Sequence, residues 1–387
     1  MKRSKMGATV FALTLVAAAC GSSASKAAPA TTAAAKAAAA TTVAAAPAAG
    51  GSDEVAKAKA AYEPFLKPPA DIKQTAKLSG AVPKDKTYIF LECELPQCHE
   101  IGVGALEAAK AIGWKTEVIK WSTADLQTML TAMDEAIAKK PVAITTTGIP
   151  QDFWADRIPK AEAAGSMIIP IAVADLKTSK TVPMGAAMSS DYKADGHLTG
   201  NWFIADSNGE GKALVVDVPA YPVLTAHGLG FKEAVTAGCK KCSVSTIEIS
   251  VPQLGAGEYV PQTVAALQKD PTIKYVITTN GGFIDGLTAA MSAASIKGVK
   301  IAGGSATLNN LAALETGTEN AWAGEAIHMD GWIAIDIAAR QLLGMPVTDS
   351  GGGRTQQLFI KGNVGTPAVS LDKPDDFRQK FMKLWGV

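Results

Sequence analysis

Histidine is scarce in this chain, with four among 387 residues, and the four are too scattered to build an acid–base constellation. No Gly-x-x-x-x-Gly-Lys-Ser/Thr loop is present to cradle a nucleotide phosphate, and no His-Glu-x-x-His to hold a catalytic zinc. Gly303-Gly304-Ser305-Ala306-Thr307 lacks the second glycine of a nucleophile elbow. Glu325 and His328 share a helix-compatible spacing, but two potential ligands do not make a metal site. No catalytic residue, metal or cofactor is therefore expected, and the chain does not read as an enzyme. A secreted hydrolase, the outside alternative, would need a nucleophile paired with a base, and none is found. Charge of one sign is missing too: 37 basic residues face 36 acidic ones, which argues against a nucleic-acid partner or a basic membrane face. After the first twenty residues no apolar run approaches the roughly 20 residues that a membrane span requires.

What is present begins at the N-terminus. Lys2, Arg3 and Lys5 precede an uncharged apolar or small run from Met6 to Ala19, which ends in Ala17-Ala18-Ala19-Cys20-Gly21. A basic head, a short apolar middle and small residues at the end make a secretory signal. The cysteine after the small residues resembles the lipobox of bacterial lipoproteins. That resemblance implies a lipid on Cys20, and hence a chain exported across the cytoplasmic membrane and anchored to its outer face, at the cell surface or in the periplasm. An ordinary secreted protein cut nearby is the alternative. Residues 21–52 are nearly all Ala, Thr, Ser, Pro and Gly, too poor in large apolar side chains to offset the entropy of ordering. They read as a disordered tether, followed by a lead-in over 53–83.

Four cysteines follow the tether, in two local pairs: Cys93 with Cys98, and Cys239 with Cys242. In an exported chain these suggest two small disulfide loops. A four-cysteine zinc site competes, but zinc ribbons usually use two tight spacings and the first pair is wider. A redox motif at Cys239 to Cys242 is disfavoured because it lies between a helix end and a strand, not at a helix start.

From Lys86 onward short apolar runs alternate with amphipathic helices. Strands are expected at Thr87–Leu91, Thr116–Trp121, Val142–Thr147 and Met167–Val173. Between them lie helices at Gln97–Ile112, through Leu126, Met129, Leu130, Met133 and Ile137, and at Phe153–Ala164. Ser122 or Thr123 is expected to cap the second of these. The pattern then resets: a loop over Lys177–Thr181 leads through Met184–Met188 and Asp191 to a helix over Lys193–Asp206. Strands at Ala213–Val218, Val244–Ile249, Lys274–Thr278 and Val299–Ala302 follow, separated by helices. Short strands apolar on both faces belong in parallel sheets covered by helices. The expected fold is α/β, with two doubly wound parallel-sheet lobes and a ligand cleft between them.

The order of motifs resembles the type 1 periplasmic binding proteins of the ribose-binding group, the solute receptors of ABC importers. Pro96 to Gly113 is similar to the family's first strand–helix stretch, Ser190-Asp191 to its first crossing, and His227-Gly228-Leu229-Gly230-Phe231 to its Arg-Gly-x-Gly-Phe helix. Thr279-Asn280 resembles the Asn-Asp strand end, and Leu384-Trp385-Gly386 a common ending. The resemblance implies a first lobe over 84–190 plus 326–352 and a second over 191–325 plus 353–387. The two lobes would be joined by a three-segment hinge at Asp191, Glu325 and Gly352. It also implies a monomer that captures a small molecule, a sugar by family default, by hinge closure, and delivers it to an ABC permease. The same body could instead serve a signalling receptor.

The ligand positions depart from the family's pattern. Gln97 and Cys98 stand where sugar binders place aromatic rings, Ala172-Val173 where they place Asp-Arg, and His227 where they place Arg. Gly281, Ser305 and Glu325 replace further polar partners. Losing Asp and Arg together removes much of the bidentate hydrogen bonding that a sugar needs, which leaves room for an aromatic or less polar ligand. The candidate contacts are Glu94, Gln97, Trp154, Tyr221, His227, Asn280, Ser305 and Glu325. Trp154 would either stack on a ligand or pack its helix, and Glu325 would either bind ligand or brace the hinge.

Overall fold

The computed structural model describes residues 52–173, 176–183, 186–350, 353–368 and 371–387. The expected signal peptide, Cys20, the tether before Ser52 and Gly352 lie outside the described residues, as do the side chains of Asp191 and Glu325. A leading helix α1 (Ser52–Tyr62) comes first. The first lobe holds β1 (Thr87–Glu92), α2 (Pro96–Ala111), β2 (Lys115–Lys120), α3 (Gln127–Ala138) and β3 (Ala143–Thr147). Two short helices, α4 (Gln151–Trp154) and α5 (Ile158–Ala164), then lead to β4 (Met167–Ile171). The second lobe starts with α6 (Ala186–Asp206), β5 (Lys212–Asp217), α7 (Pro222–Gly238), β6 (Ser243–Glu248), α8 (Val251–Gly255) and α9 (Tyr259–Lys269). It continues through β7 (Tyr275–Thr278), α10 (Leu287–Ala293), β8 (Lys300–Gly303), α11 (Leu308–Thr316) and β9 (Ala321–Glu325). Last come α12 (Ile327–Leu342), β10 (Gln356–Ile360) and α13 (Phe377–Trp385).

The first sheet is parallel in the order β2-β1-β3-β4, and the second runs β10-β9-β8-β7-β5-β6 with only β10 antiparallel. Strand alternation divides each core between two faces. Tyr88 and Phe90 pack with Ile101, Ala105 and Trp332 on one side of the first sheet, while Ile89 and Leu91 pack with Met129, Met133 and Trp154 on the other. In the second lobe Leu214 and Val216 face Tyr259 and Leu311, and Ala213 and Val215 face Phe203 and Phe231. Pro170 is tolerated inside β4 because that strand forms a sheet edge.

Each lobe contains one helix pair in backbone contact. A Cβ on Gly104 of α2 would lie 2.1 Å from the His328 carbonyl oxygen of α12, and one on Gly230 of α7 would lie 2.1 Å from the Lys193 carbonyl oxygen of α6. Only glycine permits that approach. Both disulfides are formed, Cys93 with Cys98 and Cys239 with Cys242.

Several local expectations need correction. Ser122 and Thr123 do not cap α3, whose first residue is Gln127; Asp125 accepts from the Gln127 N–H instead. The single helix expected over 153–164 is broken into α4, a 3-10 turn and α5, because Pro159 cannot continue a helix begun upstream. Helix α6 starts at Ala186 rather than Lys193, so Asp191 lies within it. Within 353–387, β10 joins the second sheet, whereas α13 packs against α12. Phe377, Phe381 and Trp385 of that helix pack on Trp332 of α12, and Trp385 Nε1 donates to Asp336 at 2.7 Å. Helix α1 in turn packs through Ala58 against Leu198 and Trp202 of the second lobe.

Where the lobes join, Arg354 is buried between two carboxylates. Its guanidinium reaches Asp195 of α6 and Asp330 of α12, each at 3.3 Å, and lies 4.5 Å over the ring of Tyr192. Gln356 Nε2 also donates to Asp195, at 2.8 Å. Removing one member of a buried ion cluster leaves a desolvated charge uncompensated. Arg354→Met should therefore lower the unfolding free energy in urea by about 3–5 kcal/mol. A loss within that of an ordinary surface substitution would show that the cluster does not join the lobes.

Candidate functional site

The carboxyl ends of the strands carry the candidate residues in both lobes. Glu94 lies in the turn between β1 and α2, and Gln97 is half-buried in the first turn of α2. The exposed Glu94 carboxylate accepts from the Thr123 N–H at 3.0 Å and the Thr123 hydroxyl at 2.7 Å, and from Ser122 at 3.3 Å. Desolvation would raise its pKa, but these donors outweigh it and hold the carboxyl below the usual range. Tyr221 precedes α7 in the second lobe and is half-buried. Its phenol is raised by burial and, secondarily, by the negative charge of Glu94. A side chain of one lobe thus lies in the field of a side chain of the other. Val223 and Leu224, in the first turn of α7, share a cluster with Tyr88, Phe90 and Ile327 of the first lobe.

Three other candidates converge at the ends of β7 and β8. Asn280 caps a 3-10 turn over Gly281–Ile284 by accepting from Gly282 N–H at 2.8 Å, so its amide nitrogen is the atom left to donate outward. The Gly281 N–H bonds the carbonyls of Gly304 and Ser305, both at 3.2 Å, which ties the two strand ends together. His227 is buried against Gly304, where a Cβ would lie 2.8 Å from the imidazole Cδ2. Its Nε2 meets the Thr199 hydroxyl at 3.3 Å, and among the described residues no partner reaches its Nδ1. Burial pushes the imidazole down to about 4, so it is neutral near pH 7. Ser305 has φ 49° and Ala172, at the end of β4, has φ 55°. Each is a strained left-handed conformation at the end of a strand, one in either lobe.

Trp154 is not brought to this edge. Its ring is fully buried beneath α3 and α5, and Nε1 donates to the Ile149 carbonyl at 3.0 Å, so it serves packing. Glu325 ends β9, where its backbone registers with Gln356.

Residues passed over in the sequence complete the floor. Asp217 ends β5 as a buried carboxylate, with Val218 N–H donating at 2.8 Å and the Thr225 hydroxyl at 3.2 Å. Burial lifts it above the usual range, and the two donors pull it part of the way back. Tyr259 donates to the Val216 carbonyl at 3.0 Å and meets the Thr278 hydroxyl at 2.7 Å. Phe283 is tilted against Tyr259, with ring centroids 5.5 Å apart. A carboxylate ending an otherwise apolar strand was the signal available for Asp217. Nothing local marks Tyr259.

At the start of α12, His328 meets Asp372 through Nδ1 at 2.8 Å and Glu100 through Nε2 at 2.7 Å. Burial would lower its pKa, but the two carboxylates outweigh it and hold the imidazole above its ordinary value.

Residues 96–346 match the family model described as periplasmic binding protein domain. No curated protein matches the sequence. Among solved structures the chain is similar to GanP, a glucose-galactose binding protein from Geobacillus stearothermophilus. The TM-score is 0.62 at 17% identity, covering 73% of this chain and 100% of that one. A periplasmic ribose ABC transporter protein from Conexibacter woesei gives 0.60 at 18%, covering 79% and 97%. An ABC transporter solute binding protein from Agrobacterium vitis, bound with alpha-D-tagatopyranose, gives 0.60 at 20%, covering 73% and 98%. At these identities the likeness is one of fold.

His227 and His328 should act on stability with opposite signs. His227 is neutral when folded and titrates near 6.5 when unfolded, so its contribution is complete above pH 6.5 and is lost as pH falls toward 4. That loss amounts to about 3 kcal/mol over the interval. His328, raised by its carboxylates, contributes fully below 6.5 and loses that contribution as pH rises through its folded value. Urea unfolding across pH should show a shallower acid limb in His227→Gln and a shallower alkaline limb in His328→Gln. Unchanged limbs in both would contradict these assignments.

Proposed function

Because this chain belongs to the periplasmic binding protein domain family and has its two-lobed type 1 fold, we propose that it captures a small molecule between its lobes and delivers it to an ABC permease. The observation that carries this reading is the packing of Tyr221, Val223 and Leu224, at the start of α7 in the second lobe, with Tyr88, Phe90 and Ile327 of the first, which brings carboxyl strand edges of the two lobes together. Ligand contacts from both edges would favour the closed arrangement, and the permease would read that closure. The hinge is assigned to the segments at Asp191, Glu325 and Gly352, with Arg354 bracing the third. The ligand is bound rather than transformed. In support, burial holds the His227 imidazole at about 4, which makes it a weak base toward the Thr199 hydroxyl beside it.

Work outside the cytoplasm is supported by two disulfides, which persist in oxidising compartments. A lipid on Cys20 would hold the protein, as a monomer, at the outer face of the membrane. A sugar or sugar-like molecule is the default ligand, since the relatives named above bind glucose, galactose or tagatopyranose by their descriptions.

A thermal-shift screen over sugars, polyols, nucleosides, amino acids and aromatic acids tests the reading. A ligand at a hundred times its dissociation constant should add about 2.7 kcal/mol of stability. Small-angle scattering should record a smaller radius of gyration with that ligand, and Tyr221→Ala should weaken its binding at least tenfold. A tight ligand that leaves the scattering unchanged would count against hinge closure.

A further inference from the structure

The lead-in over 53–83 precedes the region that matches the family model, and it is fastened to both lobes. Its first part belongs to the second lobe. Beyond α1, Tyr62, Phe65 and Leu66 pack on the cluster that holds Leu198, Trp202 and Leu358, and the Leu66 carbonyl accepts from Asn363 Nδ2 at 2.9 Å. Its last part belongs to the first lobe. Ile72 and Val82 are buried in the cluster of Tyr88, Phe90 and Trp332, and Leu78 packs against it. The Leu78 N–H donates to the Leu384 carbonyl of α13 at 2.9 Å, and the Ala76 carbonyl accepts from Arg340 of α12 at 2.5 Å. Trp114 Nε1 donates to the Pro83 carbonyl at 2.9 Å, and Asp71 pairs with Lys380 of α13 at 3.2 Å.

Between these fastenings the chain passes the place where the lobes join. Pro69 lines a small crevice with Gly324, Ala326, Thr355 and Gln356, and Gln74 Nε2 donates to the Gly353 carbonyl at 3.2 Å. Only residues 67–71 separate Leu66, held on the second lobe, from Ile72, buried in the first. That link forms neither helix nor strand, so it has no coiled length to pay out. Even fully extended, a link this short reaches no more than about 20 Å. Pro68 and Pro69 fix two of its φ angles and stiffen it further. The separation of its two ends is therefore bounded whatever the lobes do.

We propose that residues 67–83 are a strap, a fourth crossing between the lobes that limits how far they separate when no ligand holds them together. The segments assigned to the hinge set the axis of movement, and the strap sets its outer limit. This goes beyond capture of a ligand, since the limit is built into the chain whatever the cleft receives.

The test measures the distance between the lobes in the full-length, ligand-free chain. Lys110, in the last turn of α2, and Lys269, at the end of α9, are exposed. Each is replaced by p-acetylphenylalanine to carry a spin label, which spares both disulfides. An insert of about six glycine and serine residues after the exposed Ala70 gives the strap slack. Pulsed dipolar spectroscopy should then record a mean interlobe distance longer by more than about 2 Å. The same insert after Gly80, whose flanking Leu78 and Val82 both sit in the first lobe, should leave the distance unchanged. A second variant carries a protease recognition sequence of equal length in place of residues 67–71, so that one folded sample is measured before and after cutting. Cutting should lengthen the distance as the slack does. A distance that neither slack nor cutting moves overturns the strap, and so does an equal shift from the Gly80 insert. With no ligand present, either result leaves capture between the lobes to its own test.

Discussion

One buried cation holds the two lobes in register. Arg354 comes from the segment that leads back into the second lobe, and it divides its charge between Asp195 of α6 and Asp330 of α12. Neither carboxylate could remain buried without it, and Arg354 could not be buried without them. A planar guanidinium suits the task because it addresses two carboxylates and an aromatic face at once, which an ammonium would not do. The cluster sits where α6 and α12 begin to diverge into separate lobes.

Beyond that cluster the strand ends are set by helix pairs that hardly yield. In the first lobe α2 and α12 meet backbone to backbone at Gly104 and Gly331, and in the second α6 and α7 do so at Gly196 and Gly230. Any side chain at these positions would push a helix away from its sheet and carry the adjoining loop with it. Glu94 precedes α2, and Tyr221 precedes α7. The two side chains that approach each other across the lobes are thus mounted at the starts of the two most tightly seated helices. Rigidity behind these strand ends, together with strained backbone at Ala172 and Ser305, fixes their positions.

Much of this architecture was legible in the sequence, and the exceptions share a cause. Eight of the nine parallel strands could be read, most readily the uncharged and fully buried β3 and β4, whereas β9 was passed over. The stripe of Met129, Leu130, Met133 and Ile137 likewise announced α3, although its first residue was misread because Ser122 and Thr123 are committed to Glu94. For the site, the family resemblance located His227, Asn280 and Ser305, which the structure brings to neighbouring strand ends. Burial of His227 was beyond reach, since it depends on Gly304 from a strand far along the chain. Trp154 could not be judged from sequence because α4 is a single turn, and the break before Pro159 decides which way its ring points. The Arg354 cluster was invisible for the same reason: its members lie more than a hundred residues apart or on unrelated helices, and no local pattern links them. The path after β10 was equally hidden, so the amphipathic stripe of α13 revealed a helix but not the lobe it joins.

The placement of α1 and α13 has a mechanical consequence. Helix α1 is fastened to the second lobe, by Ala58 against α6 and by Asn363 donating to the Leu66 carbonyl just beyond it. Helix α13 is fastened to the first. A pull transmitted through Ser52 is therefore received by the second lobe, and reaches the first through the lead-in, the Arg354 cluster and the packing of Val223 and Leu224. Were the start of the chain moored and the lobes to move, the second lobe would be the stator and the first the arm that swings.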